Sequence, residues 1–481
     1  MIKGLIGGVV GAILSFEWLR LTQQNGYKLK YCFQGATVKW LVTLFLLQCV
    51  TLVIWSVEKD FWWCFCVLWF TVGVRYLVKR HKVKFVFTKR MARLVAVVLF
   101  MTILLSRWLI WLVPVLSPFV VLVSGVALLP IEGLITASYC NKAKNKLSQY
   151  DLCKIAVVGS FGKTEVKHFA CQLLPNCICT PNSVNTEKGV SAFINKTDFS
   201  CFKFAIFEMG AKKMGDVKTL CQMVQPDVGV FVGVSPCHMQ TFKTMNNVIK
   251  EKTQLLHYLD KDSFCIMCQQ PRYFQQYSKV GDCKKYVVNG GFLACDNFHF
   301  HNGTTTFDLT YREKTRRIDC KLLGKGAVLD LSMAVALGLG LGFDFDFLCQ
   351  RATLVESVPH RMQLLKGNGI YIIDDSYNAN LDGVKLARET LASFDGAKFA
   401  ITQGIAEGGK YSQFLNKEVG KALSSVCDHL FVVGKNQKDI LSGCDGLAQV
   451  HLCQTMNEAV TKMRQLALEG DVVLFQNDLP D

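Results

Sequence analysis

The chain is predicted to fold as an N-terminal α-helical membrane region followed by two α/β domains. Three observations predict it: an apolar load confined to the first 140 residues, strand-like runs alternating with helical spacing after residue 150, and a glycine-rich turn, Gly159–Thr164, joining the first of those strands to a helix. The expected boundaries are 1–140 for the membrane region, 150–355 for a central phosphate-binding domain and 356–481 for a second α/β domain.

Over 481 residues the chain is 51% hydrophobic with a mean hydropathy of +0.25, high for a soluble enzyme. Apolar runs lie at Leu5–Phe16, Trp40–Trp55, Phe61–Val78, Leu94–Val113 and Leu116–Ala137. The last four approach the ~20 residues needed to cross a bilayer. The first is short and glycine-rich and lies behind Lys3, as a signal peptide would, but no small-residue cleavage site precedes the next run. It reads as a retained anchor or interfacial helix.

Charge sets the expected orientation. Lys28, Lys30 and Lys39 precede the second run, and Lys79, Arg80, Lys82, Lys84, Lys89, Arg90 and Arg93 separate the third from the fourth. The opposite connections hold only Glu58, Lys59, Asp60 and Arg107. Basic loops stay cytoplasmic, and the fifth run leads into the basic segment Asn141–Lys146. Everything beyond residue 150 is therefore expected in the cytoplasm, where ATP is. The net charge of +16 is partly this topology signal and partly a surface attracted to lipid headgroups or phosphorylated substrates. The lipid bilayer is thus an expected partner. Nucleic acid is not, since no interleaved basic and aromatic strip occurs in the soluble part.

The 21 cysteines are scattered, and a reducing cytoplasm makes most of them small buried apolar residues. Cys265-Ile-Met-Cys268 has metal-ligand spacing, but a zinc site needs a second close pair. Strands are expected at Lys154–Val158, Phe204–Phe207, Val228–Val234, Gly369–Ile373, Phe399–Thr402, His429–Val433 and Val472–Phe475, each followed by turn residues and helical spacing. This is the pattern of parallel α/β architecture. Polar and aromatic alternation over Phe264–Leu322, with turns at Asn289-Gly-Gly291 and Asn302-Gly303, predicts an antiparallel layer.

The chemistry is expected at the strand ends. In Gly159-Ser-Phe-Gly-Lys-Thr164 the glycines, Ser160 and the following helix N-terminus present backbone N–H groups to phosphate. Lys163 bridges outer phosphates, and the Thr164 hydroxyl is suited to Mg2+. The loop is short: Val157 stands where the usual first glycine belongs, and Gly159 supplies it instead. A tight glycine turn with a solvated lysine would read the same way. Glu208, after the strand ending at Phe207, sits at the sheet's carboxyl edge, where open α/β folds place ligands. His238 follows the next strand; such a lone histidine is equally often a plain loop residue. The loop Asn182–Gly189, with Asn185 and Thr186, either contacts phosphate or substrate or forms a turn and helix cap. Ile372–Asn380 ends a strand in Asp374 and Asp375, followed by Asn378 and Asn380, groups able to hold ribose hydroxyls or an acceptor.

Together these segments resemble the Mur ligases, above all the D-alanyl-D-alanine-adding type and its membrane-anchored relatives. The matching pieces are Gly159–Thr164, Thr180–Gly189, Glu208–Ala211, Pro226-Asp227, Ser235–His238, Pro359–Arg361 and Asp374–Asn380. The resemblance implies an ATP- and Mg2+-dependent ligase: ATP phosphorylates a carboxylate, and an amine then attacks the acyl phosphate to give an amide. It implies that Gly159, Ser160, Gly162, Lys163 and Thr164 hold phosphate, and that Thr164, Glu208 and His238 bind the metal. It places Arg361 on nucleotide phosphate from the second domain, Asp375 on the nucleoside, and Asn185, Thr186, Asn378 and Asn380 on substrate. Lys163, His238 and Lys252 would be catalytic, Lys252 lying where the family has a lysine that is carbamylated to complete a second Mg2+ site. The implied partners are a cell-wall precursor, lipid-linked or soluble, an amino acid or dipeptide, and cell-envelope proteins.

This sequence also departs from the pattern. The family shows His-Asn after the glycine that opens the last central helix, and Gly324-Lys-Gly-Ala327 has neither, which bears on adenine recognition. Gln254 stands where relatives carry Glu, and Leu381 where Pro follows Asn-Ala-Asn. Membrane spans occupy the place of the family's domain that grips uridine diphosphate. The end at Asn477–Asp481, directly after a strand, suggests a few further residues. Two other readings stand beside the ligase: a catalytically weakened nucleotide-binding scaffold of a cell-envelope assembly, and an ATP-driven transporter, for which only Glu132 marks a pathway.

Overall fold

The computed structural model describes residues 11, 13–24, 27, 67–71, 85–109, 112–235, 239–269, 273–367, 369–377, 381–406, 411–446 and 448–477. The run Trp40–Trp55, the first half of Leu5–Phe16 and most of Phe61–Val78 lie outside them. The chain divides into two compact units, Met1–Ser138 and Tyr139–Asp481.

In the first unit lie α1 (Phe16–Gln24), α2 (Lys89–Leu109) and the apolar part of α3 (Val113–Leu147). Trp18, Leu19, Met91, Leu94, Val98, Val120, Val121 and Leu128 form its core. Glu132 accepts from Arg93 Nε at 2.8 Å and Nη2 at 2.5 Å, and Arg90 Nε stands 3.5 Å away. This carboxylate is thus an ion-pair partner of two arginines of α2. Among the described residues one helical stretch, Leu116–Leu147, is long and apolar enough to cross a membrane.

The second unit opens with a parallel sheet. Its strands are β1 (Cys153–Val158), β2 (Cys177–Cys179), β3 (Phe204–Met209), β4 (Val228–Phe231), β5 (Phe264–Cys268) and β6 (Lys284–Val288), in the order β2-β3-β1-β4-β5-β6. Between them run α4 (Lys163–Leu173), α5 (Glu187–Lys196), α6 (Asp216–Val224), α7 (Met239–Phe242), α8 (Met245–Lys252), α9 (Gln254–Tyr258) and α10 (Phe274–Tyr277). Both faces are covered, so the strands read as continuous apolar runs rather than alternating ones. Ile155 and Val157 enter one core with Val166 and Phe169 of α4. Ala156 and Val158 enter the other with Ala143 and Leu147 from the end of α3.

Phe264–Cys268 corrects the expected antiparallel layer, since β5 and β6 belong to the parallel sheet. Strand-like alternation in a short apolar run does not report parallel or antiparallel pairing. The antiparallel layer is confined to β7 (Ala294–His301), β8 (Thr304–Tyr311) and β9 (Lys314–Cys320). The expected Asn302-Gly303 turn joins β7 to β8 with both residues at positive φ, 44° and 81°, the two-residue geometry that fits strand twist. Cys265 and Cys268 face opposite cores of their sheet, so their spacing is no metal site. Every cysteine among the described residues is a free thiol.

After α11 (Gly324–Gly340) and α12 (Phe345–Ala352) comes the last sheet, ordered β10-β11-β15-β12-β13-β14. Its strands are β10 (Gln363–Gly367), β11 (Ile370–Asp375), β12 (Lys398–Thr402), β13 (His429–Val433), β14 (Gln449–Cys453) and β15 (Val472–Gln476). Only β10 runs antiparallel. The helices are α13 (Leu381–Ala392), α14 (Ser412–Ser424), α15 (Gln437–Leu441) and α16 (Met456–Leu466). The two parallel sheets are joined by reciprocal bonds: Gln172 donates to the Glu356 carbonyl at 3.0 Å and accepts its amide at 2.9 Å. Asn302 and Asp395 pair in the same way, at 2.7 and 3.0 Å.

Helices α14 and α15 meet backbone to backbone at Gly420, where a Cβ would collide with the Ile440 carbonyl oxygen. A backbone atom cannot rotate aside as a side chain can. Gly420→Ala is expected to destabilise the protein by about 3 kcal/mol through overpacking, read as a lower urea midpoint with an unchanged slope.

Candidate nucleotide and phosphate site

Strand β1 lies between β3 and β4, so the chain leaves it toward one side of the sheet and later returns to the other. This is the switch point at which open α/β sheets bind ligands. The loop after β1 is built for close backbone approach. A Cβ on Gly159 would stand 3.0 Å from Val232 Cβ and 3.2 Å from the Gly233 carbonyl oxygen. Ser160 ties this loop to the one after β4: its amide donates to Gly233 at 2.9 Å, its hydroxyl donates to the Ser235 carbonyl at 3.1 Å, and it accepts the Ser235 amide at 3.0 Å. Gly162, at φ 71°, caps α4 without a side-chain bond, so the first-turn amides face outward for an anion. Lys163 Nζ lies 3.3 Å from the Ser160 carbonyl, folded back over the loop.

Parallel pairing sets Glu208 of β3 opposite Val157 of β1. That register brings its carboxylate to the Thr164 hydroxyl, which donates to Oε2 at 2.9 Å. Lys167, one turn along α4, donates to the same oxygen at 3.0 Å, and Asn185 Nδ2 donates to Oε1 at 2.9 Å. Lys167 also donates to the Asn182 carbonyl. Glu208 and Lys167 are both 2% exposed. Burial alone would push the Glu208 carboxyl up, but Lys167, then Lys163 and the Asn185 amide, hold it below the usual range. Two hard oxygens, one hydroxyl and one ionised carboxylate at hydrogen-bond distance, suit Mg2+. Among the described residues no group of three His, Cys, Asp or Glu side chains completes a metal cage, a pattern normal for Mg2+ held partly by phosphate and water.

The other expected residues fall as follows. Asn185 orients Glu208, and Thr186 caps α5 by accepting the Gly189 amide at 3.3 Å, so the cap reading holds for that threonine. Lys252 ends α8 and is 2% exposed; its neighbour Glu251 accepts the Gly215 and Val217 amides at 2.6 and 2.8 Å and fixes the start of α6. His238, Asn378 and Asn380 lie outside the described residues.

From the last domain, Arg361 Nη1 donates to both Glu165 oxygens at 2.8 and 2.9 Å, and its guanidinium stands 4.7 Å over the Tyr377 ring. Tyr377 Oη is 2.5 Å from Ser183 Oγ. Asp375 Oδ1 accepts the Met362 amide at 3.3 Å. Burial pushes the Asp375 carboxyl up to about 6 against the pull of that amide. Sequence reasoning did not single out Glu165, Lys167 or Asp330. Asp330, on α11, lies where a Cβ on Gly162 would be 2.6 Å from Oδ1. Burial, reinforced by Glu165, pushes its carboxyl well above the ordinary range, with Arg361 and Lys163 opposing. The helical spacing of Lys167 from Thr164 was the available signal for Lys167; Asp330 carried none, since only tertiary packing brings it to the loop.

Lys167→Met leaves the Glu208 charge buried without its cation, a change that costs about 3 kcal/mol or more. Without Lys167 the carboxyl rises above its unfolded value of about 4.3, so its penalty grows as pH rises and shrinks as the group takes up a proton. Urea unfolding of this variant at pH 8 and pH 5 is expected to show the larger deficit against wild type at pH 8.

Residues 157–338 match the Mur ligase middle domain, and residues 360–476 match the Mur ligase glutamate ligase domain. The UDP-N-acetylmuramoyl-tripeptide--D-alanyl-D-alanine ligase of Escherichia coli is 24% identical over 66% of this chain and 72% of its own length. The ligases of the same name from Borreliella burgdorferi and Bacillus subtilis are each 23% identical, over 60% and 69% of this chain and 63% and 75% of their own. The chain thus spans between under two thirds and three quarters of these relatives. Among solved structures, MurF ligase from Thermotoga maritima in complex with ADP superposes with a TM-score of 0.65 at 22% identity, covering 71% of this chain and 80% of that one. Folylpolyglutamate synthase of Mycobacterium tuberculosis, complexed with ADP and AMPPCP, does so at 0.55 and 15%, covering 73% and 96%. Two successive domain matches, in the family's order and over the residues that build this site, place the chain in the Mur ligase family.

Proposed function

We propose that the chain is an ATP- and Mg2+-dependent ligase that forms an amide bond on a cell-wall precursor, by way of an acyl phosphate, at the cytoplasmic face of the cell membrane. The observation that carries this reading is the Thr164–Glu208 contact of 2.9 Å at the carboxyl ends of adjacent strands, beside an uncapped helix N-terminus. The relatives named above join D-alanyl-D-alanine to a UDP-linked muramoyl tripeptide. For this chain the substrate class is a peptide carboxylate of a wall precursor, and the amine is that of an amino acid or dipeptide.

In this reading the loop amides and Lys163 bind the nucleotide phosphates, and Arg361 brings a further cation from the last domain. The substrate carboxylate oxygen attacks the terminal phosphorus and ADP leaves. The amine nitrogen then attacks the acyl carbon, loses a proton, and phosphate departs. Mg2+, held by Thr164 and Glu208 with His238 as a further ligand, supplies neutralising charge to the crowded phosphate oxygens. Lys252 takes the part of the carbamylated lysine. Asp375, at the end of β11, takes the nucleoside, and Asn378 and Asn380, which follow it in sequence, take the substrate.

Membrane anchoring is supported by α3. Its apolar stretch has a mean hydropathy of 2.1 with only 28% of the window buried, and Leu129 and Leu134 are 52% and 73% exposed. An uncovered apolar surface of this length calls for lipid. A second reading, a nucleotide-binding scaffold for cell-envelope proteins, draws on Gly324-Lys-Gly-Ala327, which lacks the His-Asn pair expected of the family.

Purified full-length protein in detergent or nanodiscs, offered soluble and lipid-linked muropeptide precursors with candidate amino acids and dipeptides, is expected to release ADP only when carboxylate and amine are both present. Lys163→Ala is expected to lower that rate by roughly a hundredfold or more while the fold is kept, and Glu208→Ala to lower it at least as far while also lowering stability, since it leaves Lys167 buried without its carboxylate. Nucleotide binding without ADP release, together with full complementation by the double variant in cells, would establish the scaffold instead.

Reporter tags after Lys82 and after Gln149 are expected to read cytoplasm, and a tag beside Lys59 the outside. An external signal at Gln149 would separate the site from ATP and end the ligase reading.

A further inference from the structure

We propose that Glu165 is a positioning residue that holds Arg361 at the phosphate loop, with the rest of its guanidinium turned to the terminal phosphoryl group of a bound nucleoside triphosphate. The inference rests on the nucleotide reading above and adds to it a residue with its own task. Glu165 is in the first turn of α4, next to Thr164, and Arg361 belongs to the last domain. Both Glu165 bonds use one nitrogen, Nη1, and Tyr377 backs the guanidinium from its face. Among the described residues the other nitrogens, Nε and Nη2, meet no acceptor, although the side chain is only 23% exposed. An arginine gripped by one amino group and stacked on a ring is oriented, yet it keeps donors for a planar oxygen acceptor such as phosphate.

A carboxylate beside a phosphate site would ordinarily repel its ligand. Here Glu165 is neutralised by Arg361. Glu208 is met by Lys167, Thr164 and Asn185, and Asp330, a further acidic group against the loop, lies among Glu165, Lys163 and Arg361, where burial favours its proton-bearing form. With Glu165 paired to Arg361 and Glu208 to Lys167, Lys163 carries the loop's net positive charge, and Arg361 contributes directed donors. The tie is made across domains: Tyr377 meets Ser183 of the central domain at 2.5 Å, so the group that orients Arg361 also registers whether the last domain is seated.

The test compares ADP with a non-hydrolysable triphosphate analogue, each with Mg2+, by calorimetry on the full-length protein. Glu165→Ala is expected to weaken the triphosphate analogue about tenfold or more, the size of one charge-assisted bond, while ADP stays within about twofold. Glu165→Gln, which keeps the shape without the charge, is expected to fall between and guards against a folding defect, with melting temperature as the control. Arg361→Ala is expected to show the same selectivity, and the double variant is expected to be no weaker than Arg361→Ala alone. Equal losses for both nucleotides, single losses that multiply, or tighter triphosphate binding by the Glu165 variants would overturn the proposal. A wild-type protein that binds neither nucleotide would overturn both this proposal and the reading beneath it, an outcome distinct from all the others because it appears before any substitution.

Discussion

One buried ion pair organises the central domain. Glu208 and Lys167 are nearly inaccessible to water, and a carboxylate in such a place is tolerated only if its lone pairs are met. Here Thr164, Lys167 and Asn185 all point at it, and its own amide donates to Thr180 at 3.2 Å. Four segments, the phosphate loop with its helix, Thr180 just past β2, the polar loop before α5 and strand β3, are thereby fixed to a single residue. A hydrophobic pair of the same volume would stabilise the fold as well or better. What the ionic version supplies is an ionised oxygen, held below its usual titration range, at the spot where a phosphate-bound cation needs one.

The same logic explains how the second domain contributes. The last domain is tied to the central one by reciprocal bonds at Gln172–Glu356, made with the Glu356 backbone, and at Asn302–Asp395, made with the Asp395 carboxylate and amide. The charged contact, Glu165–Arg361, is made at the phosphate loop itself. That ion pair sits where a ligand can share it. Asp375, raised to about 6 by burial, lies one strand-end away, and Met362, which donates to it, adjoins Arg361.

Much of this was legible in the sequence, for identifiable reasons. Strands β1, β3, β12, β13 and β15 are buried on both faces, and their apolar runs between turn residues announce them. Edge strand β14 passed unseen because half-exposed edges carry mixed residues, Gln-Val-His-Leu-Cys, and β2 because three residues, Cys-Ile-Cys, are too few to show a pattern. Glu208 was found because a charged residue ending an apolar strand is conspicuous, whereas Lys167 hid inside an ordinary amphipathic helix. Asn185 was noticed as a ligand candidate, but its partner is Glu208. Glu165 and Asp330 were invisible for a deeper reason. Each has meaning only through a residue more than 150 positions distant, Arg361 from Glu165 and Gly162 from Asp330, and no local pattern reports such a pairing.

The missing His-Asn pair has a structural setting as well. Helix α11 begins at Gly324 with φ 83°, and its N-cap Leu323 offers no side-chain bond. Over that end lies α13: a Cβ on Gly324 would stand 3.1 Å from Thr390 Oγ1, and one on Gly326 would stand 3.0 Å from Leu386 Cδ2. Leu386 would have to shift for alanine at 326, and an imidazole reaches farther still. The glycine therefore belongs with the close seating of the last domain on the central one. The close approach at Gly326 and the Glu165–Arg361 pair are thus two separate contacts of the last domain with the central one, the first steric and the second ionic.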